Sequence, residues 1–144
     1  MEFSPIWVAS RPDLERSPVS DFLLAMGGVA LLGGLGSVVR FAFSRWQTSL
    51  PWGILLANTI ASVIVGACVS LSIAGGDTGS ALTATILATG FAGGLSTFSS
   101  WAAQTVSLMT SGQRRRGYLN ALLNMVLPVS GAIAGLILGA ILLK

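Results

Sequence analysis

Apolar residues run almost unbroken through four stretches of this chain, at about 22–43, 52–73, 81–109 and 118–143, and polar residues collect in the gaps. The first stretch reads FLLAMGGVALLGGLGSVVRFAF. A bilayer core of about 30 Å takes roughly 20 apolar residues in a helix, so each stretch predicts a transmembrane helix. The gaps SRWQTSLP, GGDTGS and TSGQRRRG are short and force neighbouring spans to run antiparallel. The expected fold is therefore an all-α membrane protein. Its four-helix transmembrane domain would occupy residues 21–144, after a polar N-terminal tail at 1–20 broken by Pro5, Pro12 and Pro18. The tail does not read as a signal peptide, because the apolar run after it is too long for an h-region.

Helices one, two and four carry small residues at three- and four-residue spacing, such as Gly131, Gly135 and Gly139, or Ala61, Ser62 and Gly66. Such spacing lets helix backbones approach closely in lipid, and packing is the plainer reading for most of these glycines. The third stretch differs. It is longer than a span requires and holds Gly90, Gly93 and Gly94, followed by Leu95, Ser96, Thr97, Phe98, Ser99, Ser100 and Trp101. Paired glycines and clustered hydroxyls weaken a helix and offer competing hydrogen bonds. A third helix broken at mid-membrane is expected, and carbonyls freed there can coordinate a cation. The competing reading is a mere kink at a packing crossover.

Composition narrows the field. Of 144 residues, 53% are hydrophobic and 9% charged, against about 25% charged in soluble domains. The net charge of +3 does not make a nucleic-acid face, because eight cations in so apolar a chain are explained by membrane topology. Cys68 is the single cysteine and there is no histidine, which rules out an internal disulfide and argues against a side-chain metal site. No Asp or Glu lies within any predicted span. That argues against proton coupling, against a carboxylate-lined cation pore and against hydrolytic or redox catalysis. The chain is not expected to be an enzyme. Passive conduction, anion handling and a structural role remain.

The polar residues inside the spans are few: Arg40, Asn58, the hydroxyls from Ser96 to Ser100, Gln104, Thr105, Ser107, Asn120 and Asn124. Thr97, Ser100, Gln104 and Ser107 fall on one helical stripe. A polar stripe on a membrane helix is helix-to-helix glue or a pore lining, and spacing leaves both open. Phe98 and Trp101 share a face; their positive ring edges can meet an anion or simply pack. Asn58 can donate two hydrogen bonds to an anion or bridge helices. Arg40 is either an interfacial anchor or a positive charge at a pore vestibule.

Three segments, GGLGSVVRF at Gly33–Phe41, PWGILLANTIASVIVG at Pro51–Gly66 and GFAGGLSTFSSW at Gly90–Trp101, together resemble the Fluc (CrcB) fluoride channel family. Order and spacing match across the first three helices; the fourth fits loosely, and the likeness covers about 27–139. The third segment is the most specific. The resemblance implies a passive fluoride channel that expels fluoride from the cytoplasm, built as an antiparallel dimer of four-helix subunits. It implies a structural sodium ion at the dimer centre, held by backbone carbonyls of Gly93 and Ser96. It places the ion pathway at Phe98, Trp101, Ser99, Ser100, Asn58 and Arg40. The departures are Ser96 for the usual Thr, Trp101 for the second Phe, Ala61 for a Gly, and Pro128 where the family often has a polar residue. Pro128 can kink the fourth helix.

Arg45 and the run Arg114, Arg115 and Arg116 fall on one side of the membrane, with Arg40 nearby. Counting cations near the spans makes the first and third loops cytoplasmic, with both termini outside the plasma (inner) membrane. The bias points to a heterodimer with an oppositely inserted relative as an alternative to a homodimer. A non-conducting partner subunit and a small multidrug-type exporter are the competing functions, though the exporter normally needs a membrane-embedded glutamate that this chain lacks. The implied partners are fluoride and membrane lipid, with no nucleic acid.

Overall fold

The computed structural model describes residues 17–46 and 49–143. The predicted tail falls outside the described residues up to position 16. Helices α1 (Pro18–Ser44) and α2 (Trp52–Gly75) are followed by α3, which starts as Thr78–Thr85 and continues through a π-helical stretch Ile86–Ala92 into a last turn, Gly93–Leu95. After a gap come α4 (Phe98–Thr110) and α5 (Arg114–Leu142). No strand occurs among the described residues. Counting α3 and α4 as one 33-residue unit, four helical segments among the described residues are long and apolar enough to cross a membrane.

Local chemistry sets the helix starts. The Ser17 hydroxyl oxygen accepts from the Ser20 N–H at 3.2 Å, and Pro18 stands in the first turn, where its missing N–H costs nothing. Asp77 caps α3: one carboxylate oxygen accepts from the Ser80 N–H at 2.9 Å and the other from the Ser80 hydroxyl at 2.7 Å. These bonds hold the Asp77 carboxyl below its ordinary value. Gly76 ends α2 in the left-handed region (φ 62°), which glycine adopts without a Cβ clash. Helix α5 begins at Arg114, four residues ahead of the predicted start at Tyr118. Arginine is a good helix former, and in an exposed first turn its long side chain reaches water.

Packing is uneven. Helix α2 is the most enclosed, burying Ile54, Leu55, Ala57, Ala61, Gly66, Cys68 and Ser70. It lies along α5, and a Cβ at Gly135 would overlap the Val63 carbonyl oxygen, so this crossing demands glycine. Helix α1 packs chiefly on the π-helical stretch and buries only Gly36 completely. The core is Ala57, Ala61, Ala92 and Leu95, with Val39, Phe43, Ile64 and Phe91 against it. Large apolar side chains are exposed along α1 and α5, among them Leu31, Phe41, Met125 and Ile141. In water that would be prohibitive; in lipid it costs nothing.

The π-helical stretch has no counterpart in the sequence reading. Apolar residues on every side of a helix leave no periodicity that separates 3.6 from wider turns. Gly90 lies inside this stretch and is buried; a Cβ there would come within 3.1 Å of the Val29 Cα.

Candidate functional site

The third membrane segment loses its helix at Ser96 (φ −75°, ψ 153°) and Thr97 (φ −154°, ψ 119°), both extended. The Ser96 N–H still donates to the Ala92 carbonyl at 2.9 Å. The Thr97 N–H does not continue the ladder. It donates to Asn58 Oδ1 at 2.7 Å, which leaves the Gly93 carbonyl without the donor that a continuous helix would bring. Thr97 then restarts the helix, its Oγ1 accepting from the Ser100 N–H at 3.3 Å.

Three carbonyls around the gap take donors from other helices. Asn58 Nδ2 donates to the Thr97 carbonyl at 3.3 Å, so this one amide grips both sides of Thr97. From α1, the Ser37 hydroxyl donates to the Gly94 carbonyl at 3.4 Å and Arg40 Nη1 to the Ser96 carbonyl at 3.3 Å. The Asn58 amide continues into a ladder. Its Nδ2 donates to Asn124 Oδ1 at 3.2 Å, and Asn124 Nδ2 donates to Asn120 Oδ1 at 3.1 Å. Asn120 Nδ2 donates to Thr105 Oγ1 at 2.8 Å. Asn120 is 2% exposed, so without Thr105 its amide would be stranded.

Two grooves flank the gap. One, of about 450 Å³, is lined by Asn58, Ser62, Ser96, Phe98, Trp101 and Pro128 among others. Phe98 and Trp101 meet edge to face across it, ring centres 4.9 Å apart and planes at 74°. The other, of about 280 Å³, is lined by Ser37, Arg40, Ser44, Thr97, Ser99 and Ser100, with Phe41. The residues expected to line one pathway therefore separate: Asn58, Phe98 and Trp101 on one side, Arg40, Ser99 and Ser100 on the other. Thr97 borders both. Gly93 borders neither and is exposed at the surface of the chain.

The Asn58 donors are both committed to protein acceptors. Trp101 Nε1 and Gln104 Oε1 are buried with no partner, each at a cost of about 1–3 kcal/mol. Pro128 has no N–H to give to the Asn124 carbonyl four residues back, and both residues border the larger groove. Sequence reasoning had no handle on Ser37 or Ser62, because a hydroxyl that lines a groove and one that merely packs look alike on a small-residue stripe. Among the described residues no cluster of three or more His, Cys, Asp or Glu comes together that could hold a metal ion. A metal here would have to use backbone carbonyls.

The profile of the family described as "CrcB-like protein, Camphor Resistance (CrcB)" matches residues 28–140. A Parabacteroides distasonis protein named fluoride-specific ion channel FluC is 39% identical over 82% of this chain and 91% of its own length. Proteins of the same name from Pyrococcus furiosus (39% identical, 81% of this chain, 93% of theirs) and Thermus thermophilus (36%, 79% and 92%) are similarly close.

Proposed function

We propose, for a chain that belongs to the CrcB-like family, the role of a subunit of a passive, fluoride-selective channel that lets fluoride leave the cytoplasm. The observation that carries this reading is the gap at Ser96–Thr97, which sets an aromatic pair in one groove and a guanidinium with two hydroxyls in the other. In the larger groove the positive ring edges of Phe98 and Trp101 face a passing anion. In the smaller one Arg40 draws the anion and the Ser99 and Ser100 hydroxyls donate to it. Asn58 shapes both grooves by holding Thr97. The described acids, Asp21 and Asp77, stand at helix starts away from the gap, and the chain has no histidine to relay protons, which suits passive conduction down a gradient.

The depth of the gap supports the same reading. Asn58 lies six residues into α2 and Asn124 ten into α5. At 1.5 Å per residue those are about 9 and 15 Å from the helix starts, inside a core about 30 Å thick. An antiparallel dimer, with itself or with a related subunit, would cover Phe98, which is 75% exposed on the single chain. Such an assembly sits in the plasma membrane.

The sodium ion implied by the family likeness would be held by the carbonyls of Gly93 and Ser96, where it would neutralise carbonyl dipoles gathered at a subunit contact. Gly93 suits that role, because it is exposed and its carbonyl has lost its helical donor to Asn58. Ser96 suits it less, because its carbonyl already accepts from Arg40.

The test is efflux from liposomes loaded with fluoride and chloride and reconstituted with the purified chain, followed with ion-selective electrodes. Fluoride should leave and chloride should stay. If the chain is silent alone, it is reconstituted with an oppositely inserting relative. Folded protein that releases neither ion in either format, or releases both alike, overturns the reading.

A further inference from the structure

The gap takes backbone carbonyls out of the helical ladder, and the charge that meets them comes from α1. No acid stands between Asp21 and Asp77, and none follows Asp77. Asp21 begins α1, about 28 Å from Arg40 along the helix, and Asp77 joins α2 to α3 at that same far end. Among the described residues Arg40 therefore has no carboxylate within reach, and the acceptor it meets is the Ser96 carbonyl at 3.3 Å. That oxygen directly follows the helical turn Gly93–Leu95, whose end carries the negative pole of the backbone dipoles. A charged guanidinium bonds a carbonyl more strongly than a neutral donor does.

We infer that Arg40 is the resident cation of the gap: it neutralises the Ser96 carbonyl, and it and a metal ion exclude one another at that oxygen. The inference takes its sodium from the channel reading above and its substance from the Arg40–Ser96 bond. Two unit charges sharing one oxygen stand about 4 Å apart. At an effective dielectric near 20 their repulsion weakens binding about a thousandfold. Sodium is then left with Gly93 alone in each subunit until Arg40 turns away. Ser37, one turn earlier on α1, holds Gly94 in parallel, so α1 supplies by two tethered donors what a bound ion would otherwise supply. Arg40 is in this sense a positioning residue as well as a vestibule charge.

The experiment compares thermal midpoints of the purified protein (with its partner subunit if it conducts only as a pair) in sodium chloride and in N-methylglucamine chloride. Wild type should differ by less than about 2 °C between the salts. Arg40→Gln, which keeps a neutral donor, should be destabilised without sodium and recover on sodium addition. Arg40→Lys should behave between the two. A wild type stabilised by sodium as much as Arg40→Gln, or an Arg40→Gln indifferent to sodium, overturns the inference. If Arg40→Gln folds only in sodium the inference stands; if it folds in neither salt, the wild type decides, and a sodium shift larger than about 2 °C overturns. Fluoride efflux from wild-type protein of the same preparation separates the two claims: a conducting wild type with the wrong sodium response sinks only the Arg40 assignment, and a silent one sinks the channel reading.

Discussion

At the scale of single residues, Asn58 has the most to do. It was legible as an intramembrane amide, and its two uses, anion donor or helix bridge, could not be separated by sequence. The structure gives it the bridge, because the partner atoms belong to Thr97 and Asn124, residues 39 and 66 positions away. Replacing it with alanine strands the Thr97 N–H and removes the donor to its carbonyl, a loss of about 2 kcal/mol or more at about 1–3 per buried unpaired group. Asn58→Asp keeps an acceptor for the Thr97 N–H but turns a carboxylate oxygen toward two other acceptors. The expected order of thermal midpoints is wild type, then Asn58→Ala, then Asn58→Asp. An aspartate variant as stable as wild type would contradict the two-sided grip. Phe98 and Trp101 were legible for a simpler reason: three residues apart on a helix is contact, and they do touch. Trp101 Nε1 was not, since whether a donor finds an acceptor is settled by neighbours from other helices.

Among the helices, existence was legible and the endings were less so. Long apolar runs name their own helices because lipid leaves the backbone no other option. The ends depend on caps, and the cap at Asp77 makes α3 start at Thr78, three residues before the predicted 81. This cap also carries a pH signature. The Asp77 carboxyl is held below its ordinary value by Ser80, so its stabilising effect is complete above the unfolded value and fades as pH falls through the lowered one. As pH falls through and below the ordinary carboxylate range, wild type should lose thermal stability by more than Asp77→Ala does. Parallel acid limbs for the two proteins would remove Asp77 from the account. The gap in the third membrane segment shows a different limit. Gly93, Gly94 and the hydroxyls announced weakness in a helix, but which peptide breaks follows from Asn58 claiming the Thr97 N–H. Pro128, by contrast, leaves α5 continuous from Arg114 to Leu142; its mark is the Asn124 carbonyl deprived of a helical donor.

For the whole molecule, charge bears on how the chain enters the membrane. The α1–α2 and α4–α5 connections share one face by connectivity, and that face carries Arg45 and the exposed Arg114, Arg115 and Arg116. Asp21 and Asp77 stand at the opposite ends of the same helices. The three arginines occupy the first turn of α5, where the helix dipole opposes them; insertion, which keeps Lys and Arg on the cytoplasmic side, gives them a reason to be there that folding does not. We propose that a chain so biased inserts mainly one way, in which case an antiparallel channel would take a second, oppositely biased subunit. With a C-terminal reporter active on one side of the membrane only, most of the signal should come from outside the cytoplasm. Changing Arg114, Arg115 and Arg116 to glutamine should bring the two orientations toward equality and let the chain conduct fluoride without a partner. Equal signal from both faces in the unaltered chain would instead establish dual insertion, and self-sufficient fluoride efflux would have to accompany it.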